Sequence, residues 1–169
     1  STLVVASTIN TVGITGAKTN FVQSMLISND AGTGTLSSAS NNTGVGFEVF
    51  DDLTTGTENT AMGTLALTKL TTGVSNVAIG KDALRTNTTG GENTAVGYNS
   101  TSALTTGSNN TAMGAHSLVA VTDQAGNAAF GRYTLAACTG NYNSAFGYLG
   151  LNAATTASNN ATLGHMAGA

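Results

Sequence analysis

The sequence predicts an all-β chain wound as a parallel β-solenoid (β-roll) of about nine 17-residue coils. Three observations predict it: a phrase of the type Asn-x-Ala-apolar-Gly that returns at a fixed interval, apolar columns that only stacking can bury, and glycines at fixed turn positions. The asparagines of successive copies stand at Asn42, Asn59, Asn76, Asn93, Asn110, Asn127, Asn143 and Asn160, with steps of 17, 17, 17, 17, 17, 16 and 17 residues. An interval held this strictly is a register, and such registers mark repeat architectures. A weaker copy, "SMLISNDAG", opens at Ser24, with Ile27 in the apolar slot and Ser28 in the glycine slot. It brings the count to nine rungs over residues 24–169, after a segment 1–23 that lies outside the register and reads as a cap or connector.

Written from its asparagine, one unit reads N-T-A-apolar-G-x-x-small-L-x-x-L-T-T-G-x-x. Seventeen residues are too few for the helix pairs of helical repeats, which need about 33–47, and a unit this short buries its apolar side chains only against its neighbours. The fourth slot holds Val45, Met62, Ile79, Val96, Met113, Phe130, Phe146 and Leu163, and the ninth holds Phe50, Leu67, Leu84, Thr101, Leu118, Leu135 and Leu151. Both are expected to face a core. The twelfth adds Leu53, Leu70, Leu104, Val121 and Cys138, with Asn87 and Ala154 breaking the pattern. The fifth-slot glycines and the Thr-Thr-Gly runs at 54–56, 71–73, 88–90 and 105–107 are the expected turns, because glycine tolerates positive φ. Two short strands per coil are expected, with like side chains stacked at about 4.8 Å per rung.

Strand alternation gives the third slot the opposite face to the fourth. That slot is small throughout: Gly44, Ala61, Ala78, Ala95, Ala112, Ala129, Ala145 and Thr162. A small, apolar column on an outward face implies close packing against the same column of another chain, so Ala61, Ala78, Ala95, Ala112, Ala129 and Ala145 are the expected interface of a cyclic homo-oligomer. The asparagines read as a ladder bonded from rung to rung.

Composition fits an ordered, slender body. The chain has 22 Gly, no Pro, no Trp and 8% charged residues, against about 25% in ordinary globular domains. Net charge is −3 and the five basic residues, Lys18, Lys69, Lys81, Arg85 and Arg132, are scattered, whereas nucleic-acid binding needs a basic stripe. No stretch of 18 apolar residues reads as a spanning helix, and no leader pattern is visible. A single cysteine, Cys138, rules out an internal disulfide framework and reads as a buried thiol.

The phrase "NVAIGKDAL" at 76–84 resembles the strand motif of trimeric autotransporter adhesin heads, which are left-handed parallel β-rolls wound as trimers. "ENTAVGYNS", "SNNTAMGAHSL" and "NDAGTGTLSSASNNTGVGF" are still more similar to the Asn-Thr-Ala-Val-Gly-Tyr arrays of bacteriophage tail fibres and tailspikes, which often precede an intramolecular chaperone domain. The likeness covers residues 24–169; the repeat is longer than that of the adhesin heads, and no chaperone domain is recognisable. It implies a homotrimer, intertwined or side by side. It further implies other fibre or virion proteins as partners, and a place on a virion tail fibre or a cell surface.

No catalytic, metal or cofactor residues are expected. Asp51 and Asp52 are adjacent and diverge in a strand; Glu58 and Glu92 share a slot two rungs apart, about 9.6 Å by rung height, a spacing that nominally suits an inverting pair, in a slot that otherwise reads as a solvated edge. His116 and His165 lack partners at ligand spacing. "AIGKD" lacks the glycine and the Ser or Thr of a phosphate loop. The thirteenth-slot threonines raise ice binding, but they sit beside other threonines instead of forming two outward files around one inward residue. The sixth and seventh slots vary most: Phe47, Glu48, Lys81, Asp82, Tyr98, Asn99, His116, Arg132, Tyr133, Tyr148 and His165. Of these, Tyr98, Arg132, Tyr133 and Tyr148 are the candidates for holding a host glycan or protein. The expected function is a structural shaft contributing to attachment; the alternatives are a glycan-binding or glycan-cleaving spike domain and a self-assembling filament or ice-binding solenoid.

Overall fold

The structure is a computed structural model that describes residues 13–15, 21–22, 24–28, 37–153 and 155–168. It is all-β and solenoidal. Twelve short strands occur among these residues: β1 (Gly13–Thr15), β2 (Phe21–Val22), β3 (Met25–Ser28), β4 (Ala39–Ser40), β5 (Thr43–Val45), β6 (Thr60–Met62), β7 (Val77–Ile79), β8 (Thr94–Val96), β9 (Thr111–Met113), β10 (Ala128–Phe130), β11 (Ser144–Phe146) and β12 (Ala161–Leu163). One sheet runs β1-β3-β5-β6-β7-β8-β9-β10-β11-β12, parallel throughout except for β1, which lies antiparallel on β3. The small second sheet pairs β2 with β4.

The sequence register is the strand register. Ala78 pairs with Ala95 and Ala95 with Ala112. The weak first copy joins in phase, Leu26 opposite Gly44 and Ile27 opposite Val45. The shortened coil keeps phase too, because its missing residue falls in the turn after Thr139, outside the strand, and Ala129 still meets Ala145. Of the segment 1–23, only β1 and β2 are described; the rest of the cap or connector reading, and Ala154 of the twelfth slot, lie outside the described residues.

The faces of the strand are the reverse of the expectation. The alanine column points inward: Ala61, Ala78, Ala95, Ala112, Ala129 and Ala145 are all buried within the single chain. They therefore cannot form an interface between chains. The fourth slot points out, with Met62 50%, Ile79 38%, Met113 44% and Phe146 43% exposed. The physical reason lies in the first slot. Asparagine and alanine sit two residues apart and share a face, and the file asparagines from Asn42 to Asn143 are fully buried, which leaves the larger fourth-slot side chains outside.

The interior combines this asparagine file with the ninth and twelfth slots, where Phe50, Leu67, Leu84, Leu118, Leu135, Leu53, Leu70, Leu104, Val121 and Cys138 are buried as expected. Each asparagine amide donates to the Oδ1 of its predecessor, Asn76 to Asn59 at 3.0 Å and Asn93 to Asn76 at 3.1 Å. The same Oδ1 also accepts the next backbone N–H, as Asn59 Oδ1 does from Asn76 N at 2.9 Å, and the amide donates again to a carbonyl across the coil, Asn76 to Gly90 at 2.9 Å. A buried amide satisfied this fully is compatible with a core. Asn87, which breaks the leucine column, closes a local ring instead, its amide donating to Gly90 O and its Oδ1 accepting from Gly90 N, both at 3.0 Å.

Each regular coil contributes one three-residue strand to the main sheet, where two strands were expected. The remainder turns through left-handed residues at the seventh, ninth and seventeenth slots, for example His116, Leu118 and Asn109 with φ of 58°, 49° and 61°. Rung-to-rung backbone bonds continue through these turns, as from Leu84 N to Ser100 O at 3.1 Å. The fifth-slot glycines do take positive φ, Gly80 at 130°. The glycines of the Thr-Thr-Gly runs do not; they are required because a Cβ on Gly73 would sit 2.4 Å from the carbonyl oxygen of Gly90 on the next rung.

Candidate functional site

Two outward surfaces run the length of the stack, and both follow from the repeat. The first is the flat strand face, where the second and fourth slots alternate outward around the buried third. It carries Thr43, Thr60, Val77, Thr94, Thr111, Ala128 and Ser144 in one file and Val45, Met62, Ile79, Val96, Met113, Phe130, Phe146 and Leu163 in the other. Phe130 and Phe146 stack at 4.6 Å with ring planes 1° apart. Eight strands at about 4.8 Å make an apolar ridge roughly 34 Å long. Large contiguous apolar surface is uncommon on monomeric proteins, which makes this ridge a candidate contact face. Reading the fourth slot as core concealed this ridge; the signal that exposes it is the asparagine two residues before each alanine.

The second surface is the corner formed by the sixth and seventh slots, and it brings together all four recognition candidates. Tyr98 meets His116 edge-on at 5.1 Å, His116 stacks on Tyr133 at 5.1 Å, Tyr133 meets Tyr148 edge-on at 6.4 Å, and Tyr148 stacks on His165 at 5.5 Å. Arg132 lies over the Tyr133 ring, 4.4 Å from its centroid, and donates to the Tyr133 hydroxyl at 3.2 Å. Lys81 stands 5.4 Å from the Tyr98 centroid, and the Asn99 amide lies 3.2 Å from His116 Nδ1. The result is an aromatic ladder with one ring on each of the last five rungs. The two histidines complete it, and the aromatic signal of the tyrosines alone did not reveal that role.

Three of the four Lys and Arg side chains among the described residues have carboxylate partners. Lys69 meets Asp52 at 3.1 Å, Lys81 bonds Asp82, and Arg85 lies 3.8 Å from Asp82. The hydrogen bonds to Asp52 and Asp82 hold the Lys69 and Lys81 ammonium groups above the ordinary lysine range. Among the described residues no three His, Cys, Asp or Glu side chains converge as a metal would need, and His116 and His165 belong to the aromatic ladder. Glu58 accepts a hydrogen bond from Ser75 at 3.1 Å on the exposed edge. Cys138 is buried, 3.3 Å from the Asn143 amide. Five of the thirteenth-slot threonines, Thr54, Thr71, Thr88, Thr105 and Thr139, spend their hydroxyls on the next rung, Thr71 to Thr88 O at 2.9 Å and Thr88 to Thr105 O at 3.0 Å, so they tie coils together.

No family model, no curated protein and no solved structure matches the chain.

Proposed function

We propose that this chain is a non-enzymatic shaft module of a phage tail fibre or bacterial surface adhesin, assembled as a homotrimer whose apolar ridges converge on a common axis. The observation that carries the reading is the continuous outward ridge of Val45, Met62, Ile79, Val96, Met113, Phe130, Phe146 and Leu163, one apolar side chain on each of eight successive strands. Burying methionine, isoleucine and phenylalanine side chains stabilises by about 1.5–3 kcal/mol each when burial is complete. A thin coil with a narrow core gains from that lateral burial. Cyclic symmetry sets the same ridge of each copy against the others and closes the assembly.

Mass photometry at low concentration tests it. A trimer is expected for the native chain, and the Ile79→Asp, Val96→Asp double variant, which places charge on the ridge, is expected to run as a folded monomer. A folded monomer for the native chain overturns the reading, and open-ended filaments favour the filament subunit instead.

The glycan-binding alternative is favoured by one feature, the aromatic ladder at the corner, which lies on a different part of the coil from the ridge and remains accessible in such an assembly. Attachment and shaft roles are compatible on one body.

A further inference from the structure

We infer that the corner ladder is a binding track for an acidic polysaccharide, with Arg132 receiving a carboxylate of the sugar chain. The proposal deepens the attachment part of the proposed function and does not depend on the trimer.

The first observation is charge. Among the described residues the cations are Lys69, Lys81, Arg85 and Arg132; the first three have carboxylate partners, and Arg132 has none. Its guanidinium is exposed, is held over the Tyr133 ring, and donates to the Tyr133 hydroxyl. A guanidinium has five N–H donors, so donors remain for a planar carboxylate, which a fork of this shape binds in two-point fashion. Around it the corner is free of acid: the sixth and seventh slots hold Glu48 and Asp82 on earlier rungs, and the chain beyond Asp123 has no Asp or Glu at all. A chain of net charge −3 thus carries at this corner one cation with no carboxylate beside it.

The second observation is the orientation of the rings. His116 on Tyr133 and Tyr148 on His165 spend ring faces on each other, with planes 13° and 11° apart. One face of each of these four rings is thereby covered, and the ring edges carry hydroxyl and ring-nitrogen groups that hydrogen-bond. A ligand recognised there is hydroxyl-rich and extended along the stack, meeting one polar edge on each rung. Single-stranded nucleic acid is disfavoured because its bases need free aromatic faces, and stacking covers a face of four of the five rings. A carboxylated sugar chain needs no free ring face, and its planar carboxylate fits the fork of the Arg132 guanidinium. Each contact is weak, and a chain spanning several rungs, or several copies of the track, multiplies them.

The test uses the intact protein and three probes: polygalacturonate as the acidic sugar chain, dextran as the neutral one, and oligo(dT) as the nucleic acid. Biolayer interferometry is expected to show binding to polygalacturonate that weakens as salt rises, with dextran and oligo(dT) far weaker. Arg132→Gln is expected to reduce polygalacturonate binding tenfold or more, as loss of a hydrogen bond to a charged group does. Arg132→Lys is expected to fall between, because it keeps the charge and loses the fork. Lys69→Gln, away from the corner, is expected to leave binding unchanged. Arg132 is exposed, so an unchanged circular-dichroism melt certifies the variants as folded. Equal binding to dextran, tighter binding to oligo(dT), equal binding by Arg132→Gln, or no binding to polygalacturonate each overturns the proposal. Mass photometry on the same samples separates any of these from failure of the trimer.

Discussion

A single buried amide illustrates how much each residue of this fold carries. Asn93 donates to Asn76 Oδ1 at 3.1 Å and Gly107 O at 2.9 Å, and its own Oδ1 accepts both the backbone and the side-chain N–H of Asn110. Asn93→Ala strands those buried partners, each costing about 1–3 kcal/mol, so a loss of roughly 3–5 kcal/mol is expected in a urea titration. Thr101 is the opposite case. It fills a ninth slot that is leucine on most rungs, and its buried Oγ1 has no hydrogen-bond partner. Thr101→Val keeps the shape and removes the stranded hydroxyl, so a gain of about 1 kcal/mol is expected from the same titration. Glu92 tests the backbone: it holds φ at 58°, a conformation that strains side-chain-bearing residues by about 1–2 kcal/mol. Glu92→Gly is expected to raise the melting temperature, and a fall would mean that the side chain contributes more than the strain removes.

At the scale of one strand, everything depends on which face is inside. Ala95 is fully buried and Ile79 is 38% exposed. Ala95→Glu is therefore expected to unfold its rungs, at a cost above about 4 kcal/mol for an unpaired charge in the core. Ile79→Asp alone is expected to leave the circular-dichroism melt of one chain within about 1 kcal/mol. Period, phase, the asparagine ladder and the leucine columns were all legible in the sequence, because like residues at a fixed step have no other arrangement that pairs them. Parity was not legible from hydrophobicity, since alanine and the fourth-slot residues are both apolar and size favoured the wrong one for the core. The deciding clue was polar: a ladder of asparagines repeats at the same parity as alanine, and a ladder that must exclude water lies inside. The shortened coil shows where length is free to vary. Deleting exposed Thr106, the same turn position, is expected to preserve the melt, whereas deleting Ala112 turns the rest of the β9 strand inside out and abolishes it.

For the molecule as a whole, stability is a sum over rungs and the interfaces between neighbours. Inserting a second copy of residues 93–109 after Asn109 restores every column in phase, and the lengthened chain is expected to melt no lower than the native one. The asparagine file adds a property that the backbone sheet lacks. Every side-chain amide in it donates toward the preceding rung and leaves its carbonyl oxygen facing the following one, from Asn59 on Asn42 through Asn160 on Asn143. The file therefore has a direction, and it coincides with the order in which the ribosome makes the chain. A completed coil presents a fixed acceptor to the asparagine that emerges seventeen residues later, and the newcomer brings the donor. Each coil in this way acts as the mould for the next, so the chain can assemble in the order of its synthesis, with no long-range strand search to complete.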